Sequence, residues 1–196
     1  SGYRSPESLN SCRLPIWKAI PWLFSATTSL YGFLVGNVIR HHHTVGDMKT
    51  LSKSDKRRLN AQLDELYGIS PISKKDDVKR QDDLLLVNGD ADYFYLEDTP
   101  MPTVRNLLGQ DILPAATVDM GAVPFICKGA DVMMPGIVAA DEAIRRGDLI
   151  AVKDQKNAKT LMIGRALADA EQLKSSKEGK GVESIHYVGD HIWSRS

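Results

Sequence analysis

The ten residues Lys128-Gly-Ala-Asp-Val-Met-Met-Pro-Gly-Ile137 restrict the fold more than any other stretch of the chain. Two glycines permit positive φ or a close backbone approach, and Pro135 removes one amide from any sheet ladder. A tight loop entering an edge strand is the conformation these residues allow. Such a loop offers a partner its backbone in place of long side chains.

The segments around this loop read as short elements. Thr117 and Val118 end a strand, Asp119 is positioned to cap a short helix through Phe125, Ile126 and Cys127, and Gly129 closes that helix in the left-handed position. Strand-like runs follow at Val132–Val138, Asp148–Val152, Thr160–Ala168 and Val182–Val188, and the last turns back at Gly189-Asp190 into His191 to Ser194. Many short strands with one early helix predict a small barrel or sandwich. Ile126, Val132, Ile137, Leu149 and Ile163 are assigned to its core.

A different pattern precedes it. Ser52 and Asp55 have capping-box spacing, Leu59, Leu63, Leu66 and Tyr67 recur on one helical face, and Gly68 supplies a stop, which predicts a helix over 52–67. Lys53, Lys56, Arg57 and Arg58 line its outer face, as a solvated surface or as a contact for RNA or protein. A linker, 69–77, leads to strands at 78–81, 84–87 and 92–96, with Asn88-Gly89 signalling a type I′ hairpin. Thr99-Pro-Met-Pro102 predicts a turn, and Thr103–Leu108 a short helix stopped by Gly109.

Residues 1–47 have another character. From Ala19 to Ile39 there is no charge, with Arg4, Arg13 and Lys18 ahead, as in a signal sequence or membrane anchor. Pro15, Pro21, a Ser-Ala-Thr-Thr-Ser run and the lack of a small-residue cleavage site speak against that. The favoured expectation is a disordered extension or upstream sequence ahead of a start at Met48. The triplet His41-His42-His43 carries no expected metal site.

Composition excludes some functions. The chain is 42% hydrophobic and 26% charged, with a formal net charge of zero, so no general attraction to nucleic acid or membrane follows. Two cysteines, Cys12 and Cys127, without paired spacing argue for a reducing, cytoplasmic setting and against a zinc knuckle. No Walker loop, G-x-S-x-G, H-E-x-x-H or G-x-G-x-x-G occurs, so no enzyme and no cofactor is expected.

The order of motifs is informative as a set. Lys128 to Ile137, Arg146-Gly-Asp-Leu-Ile-Ala-Val152, Ile163-Gly-Arg-Ala166, Gly179-Lys-Gly-Val182, His186 and Asp190-His-Ile-Trp193 together resemble the PUA domain. Leu51 to Pro114, with Val87-Asn-Gly89, Pro102-Thr-Val-Arg105 and Ile112-Leu-Pro114, is similar to the small domain ahead of that module in the malignant-T-cell-amplified-sequence family and its archaeal relatives. The resemblance implies an α+β protein in two parts, a small α/β domain over 48–114 and a mostly β, six-stranded pseudobarrel over 115–196. It also implies binding of structured RNA, tRNA or rRNA, at the small ribosomal subunit during initiation or recycling. The lack of a self-complementary exposed strand points to a monomer. A separate translation-factor partner is implied by eukaryotic relatives that act with density-regulated protein. The alternative reading is an accessory factor for RNA modification, for which the upstream unit offers only unremarkable acids such as Asp82, Asp83 and Asp90.

The resemblance places RNA between the glycine loop and a late strand. Here that means Lys128, Gly129, Ala130, Met133, Met134, Pro135 and Gly136, facing the segment from Gly181 to His186. Strand alternation puts Met133 and Met134 on opposite faces, so at least one is core. Arg145, Arg146, Arg165 and Lys180 are further candidates for phosphate contact. His186 is a candidate whose favoured role is structural, and Trp193 is assigned to packing.

Overall fold

The computed structural model describes residues 47–196. The expectations for residues 1–46 therefore fall outside the described part. Helix α1 (Lys53–Tyr67) begins where the Ser52 hydroxyl accepts a hydrogen bond from the Asp55 N–H and the Asp55 carboxylate accepts one from the Ser52 N–H, each at 3.2 Å. Gly68, at φ 69°, ends it. Leu59 and Leu63 bury its inner face against Ile72 of the linker that follows and Val78, Leu85 and Tyr93 of a sheet.

That sheet is antiparallel and runs in the order β1 (Lys49–Thr50), β2 (Val78–Gln81), β3 (Leu84–Val87), β4 (Asp90–Leu96) and β5 (Thr99–Pro102). Asn88 and Gly89 both have positive φ, 56° and 100°, as the type I′ hairpin requires. β4 starts two residues earlier than the sequence pattern suggests, and the two-residue β1 has no pattern to announce it.

β5 corrects the expected turn at Thr99–Pro102. The Thr103 N–H donates to the Asp92 carbonyl at 2.8 Å, so by alternation Met101 and Thr99 also face β4, while the nitrogens of Pro100 and Pro102 point away. Pro100 and Pro102 are buried, and an N–H there would be a buried donor facing out of the ladder. Proline has none to leave unsatisfied, which is why it fits this edge.

The second sheet has the order β7-β11-β10-β9-β6-β8, built from β6 (Ala115–Val118), β7 (Val132–Met133), β8 (Ile137–Ala140), β9 (Leu149–Asp154), β10 (Thr160–Ala166) and β11 (Lys180–Tyr187). Among the described strands only β6 and β9 pair in parallel. Ile126, Val132, Ile137, Val152, Met162 and Val182 fill its interior. The run 132–138 is not one strand: a 3₁₀ turn, Met134–Gly136, splits it at Pro135. Leu149 is half-buried and packs at the junction between the sheets instead of in the barrel core.

Helices were underestimated in this half. Asp119 caps a turn, accepting from the Ala122 N–H at 2.9 Å, and α3 (Val123–Ile126) begins only after it. α4 (Ala170–Ser175) and α5 (His191–Arg195) are both additional to the expected single helix. At α5 the Asp190 carboxylate accepts from the Trp193 N–H at 2.8 Å, so the chain coils there instead of extending.

The two sheets share core. α2 (Val104–Leu107), capped by Thr103, contributes Val104 and Leu107 to a cluster with Ala151 and Ile163 of the second sheet. Leu84, Ala91, Phe94 and Met101 form another with Ile192 of α5. Arg195 bridges to Asp82 at 3.1 Å and Asp83 at 3.2 Å, and Arg105 lies 4.7 Å from the ring centre of Trp193. Trp193 therefore packs, as expected, but at the junction of the halves.

Candidate nucleic-acid interface

The glycine loop folds back over the C-terminal end of α3. The N–H groups of Lys128 and Ala130 both donate to the Phe125 carbonyl, at 3.0 and 3.1 Å. Gly129 has φ 85°, and a Cβ there would stand 2.7 Å from Cζ and Oη of Tyr187. A side chain is thus excluded twice, by backbone conformation and by the ring against which the loop lies.

Beyond the loop, β7 pairs with the first residues of β11, Met133 opposite Lys180 and Val132 opposite Val182. The Met134 N–H donates to the Gly179 carbonyl at 2.9 Å. Gly181 lets β11 come close, since a Cβ there would lie 2.7 Å from Cδ1 of Ile137 and 3.0 Å from Cδ2 of Leu173. The structure therefore brings Lys128–Gly136 and Lys180 onto one surface.

Within that surface Lys128, Ala130, Met133 and Pro135 are exposed. Met134 is half-buried against the barrel core, so alternation sorts the two methionines as the sequence requires. Gly136 is half-buried beside Ala122. Phe125, with no role assigned from the sequence, is 66% exposed. With Met120, Met133 and Val138 it places four of the seven exposed large apolar side chains among the described residues in 120–138. That concentration suits stacking and soft contact with unpaired bases and sugars better than it suits phosphate contact alone.

Charge on this surface is partly internal. Lys180 donates to the Asp131 carboxylate at 2.8 Å, and the other Asp131 oxygen accepts from the Ser184 N–H at 2.9 Å. The bond from Lys180, then the one from Ser184, holds the Asp131 carboxyl below the usual carboxylate range, and the same pair raises the Lys180 ammonium. Lys128 is exposed and forms no ion pair among the described residues. Asp131 and Tyr187 shape this candidate surface, and neither residue type announces a supporting role in the sequence.

The remaining candidates lie elsewhere. Arg145 and Arg146 are exposed on the loop before β9, where Arg145 Nη1 donates to the Glu142 carbonyl at 2.7 Å and the Arg146 N–H to Asp169 Oδ1 at 2.8 Å. Arg165 is half-buried on β10, across from Glu183. His186 is fully buried, its Nδ1 2.7 Å from Asp190 Oδ2 and its ring edge-on to Phe94 at 5.3 Å. It is therefore an internal strut, not a surface for RNA. Burial chiefly pushes the imidazole down, against the pull of Asp190, and its Nε2 is buried without a partner among the described residues.

A small α/β sheet fused to a six-stranded pseudobarrel with a glycine-loop groove defines a PUA-domain protein, and the PUA domain model matches residues 114–188. The fold is that of a hypothetical protein from Pyrococcus horikoshii, with a TM-score of 0.67 and 37% identity over 76% of this chain and 99% of that one. Malignant T-cell-amplified sequence 1 of Rattus norvegicus is 31% identical over 149 residues, 68% of this chain and 82% of the relative. Translation machinery-associated protein 20 of Saccharomyces cerevisiae is 28% identical over 68% of this chain and 78% of that protein. The chain belongs to the malignant-T-cell-amplified-sequence-like family of PUA-domain proteins.

Proposed function

We propose that this protein is a non-enzymatic RNA-binding factor of the translation apparatus that grips tRNA or small-subunit rRNA between the glycine loop and β11. The observation that carries this reading is the surface formed by Lys128–Gly136 and Lys180, with apolar Phe125 and Met133 exposed beside backbone that Gly129 keeps thin. Backbone and apolar surface recognise the shape of a folded RNA end or loop, whereas a broad cationic face recognises any RNA. With Lys180 tied to Asp131 the groove has little spare charge, which favours selectivity over general affinity. The name of the yeast relative and the family supply the link to translation. Residues 48–114 serve as the accompanying domain and 115–196 as the PUA domain, with a separate protein partner completing the assembly.

A role in RNA modification finds no observation in its favour. Asp82 and Asp83 are engaged by Arg195, and Asp90 is exposed in the β3–β4 hairpin. The test is binding of the full chain, across a range of salt, to purified small ribosomal subunits, tRNA and an unstructured RNA, beside a Lys128→Glu, Met133→Ala variant. Preference for subunits or tRNA that the variant loses is the expected result. Equal affinity for all three RNAs would refute selective recognition.

A further inference from the structure

Away from the PUA groove, a cavity of about 180 Å³ opens between the start of α1 and the β1–β2 side of the first sheet. Leu51, Leu59, Leu85 and Tyr95 give it an apolar floor, and Lys49, Arg58 and Arg80 give it a basic rim. Its one carboxylate, Asp55, is engaged by Ser52 in the α1 cap. The guanidinium of Arg80 lies 4.5 Å from the ring centre of Tyr95. Arg80 Nε donates to the Asp82 carbonyl at 2.8 Å, which ties the guanidinium down beside the ring. Arg80 is exposed, so part of this planar cation is open to a ligand at the cavity mouth.

A plane of this kind, over an apolar floor and beside two further cations, matches one ligand chemistry. Unpaired bases stack on guanidinium planes as on aromatic rings, and the phosphate next to a stacked base needs cations within reach. The half-buried Gln62, whose amide both donates and accepts, stands where it can meet a base edge. We infer that this cavity is a second nucleic-acid site, taking a single unpaired nucleotide of RNA with its base on Arg80 and its phosphate at Arg58 and Lys49. The site is independent of the PUA groove and stands if the reading of that groove fails.

The test uses the full chain, with NMR signals of the Tyr95 ring and the Arg80 Nε–H as reporters. Adenosine and uridine 5′-monophosphate, the two nucleosides, inorganic phosphate and an acidic peptide are titrated in turn. The nucleotides are expected to shift both signals and the nucleosides to do so more weakly. Arg80→Lys, which keeps the charge and loses the plane, is expected to weaken the nucleotides about tenfold, and Lys128→Glu to leave them unchanged. Shifts reproduced by phosphate alone, no shift with either nucleotide, an indifferent Arg80→Lys variant, a loss in Lys128→Glu, or tighter binding of the peptide would each overturn the inference.

Discussion

Gly129 and Tyr187 are in contact that no side chain at position 129 could share, since a Cβ would stand 2.7 Å from the ring. Gly129→Ala is expected to destabilise the fold by about 1–3 kcal/mol through backbone strain, and to displace the loop as well. Adding Tyr187→Ala relieves the collision but not the positive φ. Denaturant midpoints and tRNA binding of the single and double variants measure the two parts. A single variant as stable as the parent would show that the loop moves freely off the ring.

Asp131 holds Lys180 at 2.8 Å and Ser184 at 2.9 Å through different oxygens. Asp131→Asn keeps an acceptor for the Ser184 N–H and releases the lysine. Lys180 is exposed and Asp131 half-buried, so the change in stability should be small beside the change in RNA binding. RNA affinity at low salt should rise, and the plot of log K against log salt should steepen by about 0.7 for one added phosphate contact. An unchanged slope would mean that Lys180 does not face the RNA.

His186 and Asp190 link pH to stability in one direction. Burial holds the imidazole below its ordinary 6.5, so the unfolded chain takes up the proton first as pH falls, and folded stability drops from about pH 6.5 downward. Burial pushes the Asp190 carboxyl up, but hydrogen bonds from the Trp193 N–H and His186 together hold it below its ordinary 3.8, so its contribution is present above 3.8 and lost as pH falls through its lower folded value. Thermal melting at pH 7.5 and 5.5 should show a loss that is smaller in His186→Phe. Equal losses in the two proteins would remove His186 as the cause.

Phe94 is 1% exposed, packs with Ile192 from the other half and meets His186 edge-on. Phe94→Ala is expected to cost about 3–5 kcal/mol, whereas exposed Leu108→Ala should stay within about 0.5 kcal/mol. Chemical unfolding followed by circular dichroism makes the comparison. A small effect at Phe94 would indicate that the halves hold their shape separately.

Local signals in the sequence were strong wherever the cause was itself local. The Ser52–Asp55 cap, the Gly68 stop and the Asn88-Gly89 hairpin each depend on a few adjacent residues, and each is present in the structure. Failures arose where tertiary surroundings decide. Thr99–Pro102 has the composition of a turn and becomes a strand because its outward edge is buried. Leu149 was placed in a barrel core and serves the junction, because which apolar residue joins two units is not written in periodicity. In the candidate interface the glycine loop was legible from residue type, while Asp131, Phe125 and Tyr187 became visible only through their distances and exposure. His186 lies on a strand beside half-buried Ile185 and Tyr187, and pairing with Asp190 decided its side.

The prolines of β5 also bear on assembly. A buried sheet margin whose outward nitrogens carry no hydrogen, and whose Pro100 carbonyl is taken by the Tyr67 hydroxyl at 3.0 Å, gives an incoming strand no ladder to complete. At the opposite margin β1 is two residues long, too short to template another strand. Strand exchange between copies is therefore disfavoured at both ends of the first sheet, and a protein or RNA that docks on this half must recognise side chains.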